Sequence, residues 1–199
     1  MFVKFAKLAM MPLVFLNIFS GIIAFIWLAV VGEWSIIGYG VLGLLVGHFV
    51  ISILLMPGII FMLPLPFFFS KGLSFLGLIF GIVNLVYTNI IFCFWCIGSF
   101  FFFGTQITDS SIFIPLVLWS YNVAIGPINY LASKEPNDGT QLVNFFVQIA
   151  CSCLIIQIIF FNSNLLDSLI LFAIIMCIGT FINVKIGISD GMLQSKNYQ

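Results

Sequence analysis

Charge is what this chain has least of. Its 199 residues include six lysines, six acidic residues, one histidine and no arginine. A soluble domain carries about 25% charged residues, whereas this sequence is 6% charged and 63% apolar. A water-soluble fold of that composition would have no surface to present. The even charge balance leaves neither a basic face for nucleic acid nor a polybasic patch for anionic lipid head groups. Paired carboxylates, a serine–histidine pair, a metal-ligand cluster and a phosphate-cradling glycine loop are all missing. The expectation is a chain that is not an enzyme and holds no cofactor or metal. No charge falls deep in an apolar run, where it would cost about 2.5–3.5 kcal/mol on insertion scales, and this disfavours proton or cation coupling.

Long uncharged runs are what is present. Residues 34–70 and 72–108 are two uncharged segments of 37 residues each, meeting at Lys71. About 20 residues suffice to cross a hydrocarbon core about 30 Å thick. No polar stretch is long enough to fold separately, so residues 1–199 read as a single transmembrane domain. The fold class expected is all-α, a polytopic integral membrane bundle of about six transmembrane helices.

The spans are placed at residues 10–31, 34–56, 73–95, 112–131, 141–161 and 165–184. Lys4 and Lys7 precede an apolar run from Leu8 to Gly32 that exceeds the about 7–15 residues of a signal-peptide core, so it is read as a retained first span. Pro57–Gly58 should stop the second, because proline cannot donate into the helical ladder. Pro64 and Pro66 then make residues 58–70 interfacial or re-entrant. Gly126–Pro127 should kink the fourth span, and Ser133–Thr140 reads as a polar loop. With six spans, Lys4, Lys7, Lys71, Lys134, Lys185 and Lys196 all fall on one side. The positive-inside rule assigns that side and both termini to the cytoplasm, and a bacterial cytoplasmic (inner) membrane fits best. Trp27, Trp34 and Trp95 then lie near the outer interface.

Small and polar residues form stripes on these spans. Gly40, Gly43 and Gly47 share a face of the second span; Ser74, Gly77, Gly81, Asn84 and Thr88 share one on the third, within about 80° of its surface. Each stripe holds a Gly-x-x-x-Gly step that permits close backbone approach. Antiparallel pairing brings Gly43 level with Gly81 and Gly47 level with Gly77, so these glycines are expected to meet at a hairpin seam. Asn122, Gly126 and Asn129 share a face of the fourth span, and Gln141, Asn144, Gln148 and Cys151 one of the fifth. Interhelical bonds between such groups average only about 0.6 kcal/mol. Packing glue is the simpler reading, and a cavity for a neutral or zwitterionic solute beside Gly126–Pro127 is the functional one.

His48 should lie about 21 Å from Trp34 along its helix. It is a candidate proton carrier or ligand, but it has no partner for a relay or metal site, and a histidine hydrogen-bonded to a neighbouring helix is the simpler reading. Cys93 and Cys96 have redox spacing. The pair resembles, in spacing and depth only, the Cys-x-x-Cys of quinone-linked membrane thiol oxidoreductases. Those enzymes need a second cysteine pair in an outer loop, whereas Cys151, Cys153 and Cys177 fall within spans here. Six spans in about 200 residues are also similar in size to the membrane binding subunits of vitamin uptake systems, without a shared motif. The leading functional expectation is a non-catalytic membrane subunit or assembly factor whose partners are the bilayer and other membrane protein subunits. A transporter or substrate-binding subunit is the alternative, and a thiol oxidoreductase comes third.

Overall fold

The structure, a computed structural model, describes residues 2–107, 109–134 and 138–197, with side chains as far as residue 186. Every regular element among them is helical: α1 (Phe2–Val31), α2 (Trp34–Met62), α3 (Leu65–Ser70), α4 (Ser74–Gly104), α5 (Phe113–Lys134), α6 (Asp138–Phe160) and α7 (Leu165–Asn197), with a 3-10 turn at Ser110–Ile112 before α5. Six stretches are long and apolar enough to cross a membrane, α2 and α3 together making one of 37 residues. Residues 135–137 of the expected polar loop lie outside the described residues.

Several boundaries differ from those expected. Helix α1 starts at Phe2 rather than residue 10, and α4 carries Phe100–Phe103 in its last turns instead of stopping near Trp95. Helix α7 continues past Val184. Most instructive is α2, which does not stop at Pro57–Gly58 but continues to Met62. Proline removes one ladder bond, yet neighbouring helices can compensate for the loosened backbone. The carbonyl that Pro57 leaves without a ladder donor is that of Ile53, and the Tyr87 hydroxyl of α4 donates to the next one along, Leu54 O, at 2.6 Å, which ties this turn to the neighbouring helix without replacing the lost bond. Gly58 lies against Asn84 and Tyr87. The segment expected to be interfacial or re-entrant is therefore divided: Gly58–Met62 belongs to α2, and Leu65–Ser70 forms the separate α3, which packs on α4.

Helix ends follow local chemistry. Gly32 (φ 90°) and Gly72 (φ 72°) take the left-handed conformation, which lets Glu33 N–H reach Leu28 O and Leu73 N–H reach Phe68 O in helix-closing bonds. Asn162 (φ 48°) does the same work after α6.

Helices α5 and α6 form the centre. About seven-tenths of the apolar stretch is buried in Ser110–Lys134 and in α6, against about a quarter or less in α1, Trp34–Ser70 and α4 and little more in Leu165–Ile186. The main core joins Phe92, Cys96, Tyr121, Ile125, Val147, Leu154 and Phe172 from α4 to α7. Helices α2 and α5 run parallel, since Gly40, Gly43 and Gly47 lie in turn against Trp119, Val123 and Pro127. The start of α1 meets the start of α6 through a 2.7 Å ion pair between Lys7 Nζ and Asp138 Oδ1.

Candidate functional site

The asparagines of α5 take part in two separate groups of polar side chains. Asn129 on α5 presents its Oδ1 to the Nδ2 of Asn144 (3.0 Å) and the Nε2 of Gln148 (2.6 Å), both on α6. Gln148 Nε2 also approaches Asn144 Oδ1 at 3.2 Å and Met10 Sδ at 3.6 Å. Asn144 and Gln148 are almost wholly buried, and Gln148 Oε1 is left without a partner. Asn122 does not join this group. It turns to α1, donating through Nδ2 to Ser20 Oγ at 3.0 Å and to Leu118 O at 2.9 Å. Gly21 makes room for it: a Cβ there would lie 2.5 Å from Asn122 Oδ1. Asn122 and Asn129 share a face, but seven residues separate them by about 10 Å along the axis, so they meet different neighbours. Ser20 and Gly21 were missed from sequence, although Asn17, Ser20 and Gly21 stand at spacings of three and four.

The expected glycine seam between α2 and α4 is not formed. The glycines of α2 receive α5 instead: the indole of Trp119 covers Gly40, Val123 covers Gly43, and Pro127 with Trp95 of α4 covers Gly47. Gly77 faces Phe69 of α3, and Gly81 has open space where a Cβ would stand. Helix α5 carries the bulk that fits the α2 groove, and stripe periodicity says nothing about which helix supplies it.

His48 lies with its ring centroid 3.8 Å from that of Phe49 and 4.8 Å from that of Tyr130, and Lys134 Nζ sits 4.4 Å from the other end of this group, over the Tyr130 ring. Asn84 packs at Gly58, while Thr88 donates back to Asn84 O at 3.0 Å, so these two are apart from the central amides. Cys93 and Cys96 point to different surroundings. Cys96 is fully buried in the main core beside Cys151, whereas Cys93 lines a groove with Cys177. All five cysteines are free thiols. Among the described residues no three His, Cys, Asp or Glu side chains come together as a metal site.

Among the described residues, grooves that open on the bundle include the following three. One of about 600 Å³ runs between α4 and α7 past Asn89, Cys93 and Thr180, and one of about 390 Å³ lies between α2 and α4 beside Gly43, Gly47 and Trp95. The third, about 370 Å³, is a cup at the end of the bundle where α4 joins α5 and α6 joins α7. Asn122, Asn144 and Gln148 line none of the three. Comparison with protein-family models, curated proteins and solved structures finds no match to this chain.

Proposed function

We propose that this chain is a non-catalytic, multi-pass membrane subunit that acts by packing its helices against lipid and against other membrane protein subunits. One observation carries this reading: the polar and small residues of α5 and α6 are taken up inside the bundle, while α1, α2 and α4 turn large apolar side chains outward. Phe15, Phe19, Leu45, Phe49 and Phe94 are among those exposed. Apolar patches on soluble monomers rarely exceed a few hundred Å², so such faces call for lipid or protein cover. In this reading the lysine-bearing ends lie in the cytoplasm of a bacterial-type inner membrane.

A transporter with a site among the central amides is the weaker reading, because Asn129, Asn144 and Gln148 direct most of their bonding capacity to one another and line none of the three grooves described above. Purification in mild detergent, followed by identification of co-eluting proteins and lipids, tests the subunit role. A stoichiometric membrane partner is the expected result, and a chain that elutes alone from every mild detergent, with bulk lipid only, overturns it.

A further inference from the structure

We propose that the cup at the end of the bundle binds a small polar solute of zero net charge, a role that goes beyond packing and stands without it. At about 370 Å³, the cup holds roughly a dozen water volumes of about 30 Å³ each. It falls within the range of about 300–1,000 Å³ usual for small-molecule sites. Its floor includes Ser120, which lies about 10 Å along α5 from Phe113 and is 1% exposed. The Ser120 hydroxyl donates to Val117 O at 2.7 Å, so its oxygen places unused acceptor capacity just behind the floor. Asn162, Ser163 and Asn164 form the rim. The left-handed backbone at Asn162 turns the chain there, and Ser163 N–H bonds back to Gln157 O. Rim amides and hydroxyls supply both donors and acceptors.

Charge decides the class of ligand. Among the described residues, no lysine, histidine or acidic residue lines the cup, so a net-charged solute would lose water without gaining a counter-charge there. The first residues of α5 and α7, Phe113 and Leu165, share the wall with Gly104 and Ile158 from the last turns of α4 and α6. Helix ends of opposite partial charge therefore face one cavity. With Asp109 before α5 and Asp167 in the first turn of α7 standing outside the lining, that field suits a zwitterion or a dipolar uncharged molecule.

Equilibrium dialysis of the full chain in detergent tests this, with labelled glutamine as a zwitterionic probe, myo-inositol as an uncharged probe, and glutamate and lysine as charged counterparts. The expected result is saturable binding of glutamine or myo-inositol with a Kd near or below about 1 mM, at least about tenfold tighter than the charged probes. Ser120→Val at the floor and Asn164→Leu on the exposed rim should each weaken it at least about tenfold, with wild-type elution and tryptophan emission retained. If Ser120→Val fails to fold, the rim variant alone decides. No saturable binding of either net-neutral probe up to about 10 mM, equal binding of charged probes, or binding unaffected by the folded variants would make the cup a water-filled vestibule only.

Discussion

The indole N–H of Trp95 donates to the carbonyl oxygen of Val123 at 3.2 Å, and that carbonyl is the one Pro127 leaves without its intrahelical donor. A residue at position 127 would ordinarily donate to the carbonyl four positions back, but proline has no N–H. Helix α4 thus supplies a bond that α5 lacks, and Gly47 of α2 admits both rings at the same point. Trp95→Phe should destabilise the bundle by about 1–3 kcal/mol, the cost of an unpaired buried carbonyl. Pro127→Ala would restore the ladder donor, so Trp95→Phe should cost clearly less in that background. Unfolding of the four proteins in mixed micelles gives the coupling as a double-mutant cycle, and strict additivity would mean that the indole bond does not compensate for the proline.

Trp119 makes a comparable contact one helix away. Its indole covers Gly40 and donates to Ile36 O at 3.1 Å. A Cβ at position 40 would overlap the indole ring, so Gly40→Ala must displace Trp119 and should cost about 1–3 kcal/mol. Gly81→Ala is the opposite case, because nothing stands within 4 Å of its added Cβ. There the helical preference for alanine should stabilise by about 0.5–1 kcal/mol. Thermal unfolding of both variants decides; a costly Gly81→Ala alongside a neutral Gly40→Ala would return the glycine contact to the α2–α4 seam.

These two contacts mark where the sequence was legible and where it was not. Lysines, glycines and the Asn162–Asn164 break locate the connections, because charge and left-handed backbone cannot sit in the middle of an apolar helix. Pro57 misleads, since whether proline ends a helix depends on the packing around it, here Asn84 and Tyr87 of α4 against Gly58, which a local pattern cannot contain. The glycines of α2 do signal a close approach, but their partner is a helix more than 70 residues further along the chain. Amides on one face suggested one cluster, and axial distance divided them between α1 and α6. The cup shows in the sequence only as the gap between the spans placed at 141–161 and 165–184, because its floor comes from α5.

The amide group offers a direct energetic test. Asn129 Oδ1 accepts from both Asn144 and Gln148, so Asn129→Ala removes the acceptor of two buried donors. Coupling between residues 129 and 148 should be near the average of about 0.6 kcal/mol for interhelical bonds in membrane bundles and no greater than about 1.7 kcal/mol. The cycle of Asn129→Ala and Gln148→Leu measures it by unfolding in micelles. A coupling of zero would reduce these amides to spectators of apolar packing.

Asp109 should titrate below the usual carboxylate range. Its carboxyl accepts from the backbone N–H of Ser111 at 3.0 Å, and the hydroxyl of Ser111 and then Ser110 add to this effect. Because the folded pKa is lowered, the stabilisation of the turn is present above the ordinary value of 3.8 and is lost as pH falls through the lowered one. Carbon-detected titration of the Asp109 carboxyl in micelles should give a midpoint below 3.8, and Asp109→Asn should remove the acid-dependent exchange of the Ser111 amide. A midpoint at or above the ordinary value would mean that Asp109 does not cap the turn.

The parallel register of α2 and α5 has a consequence for topology. Since Gly40, Gly43 and Gly47 follow Trp119, Val123 and Pro127 in the same direction, the C-terminal ends of the two helices lie at one end of the bundle. The turn at Lys71 then shares a side with Lys134, and the Lys7–Asp138 pair places the start of α1 there too. Single cysteines at positions 4, 71 and 134, in a chain whose native cysteines are replaced, should all react with a membrane-impermeant maleimide from the same side of sealed vesicles. In the topology proposed above, that side is the cytoplasmic one. Labelling of positions 71 and 134 from opposite sides would require α2 and α5 to run antiparallel, and the glycine contacts with Trp119 and Pro127 could not then form together.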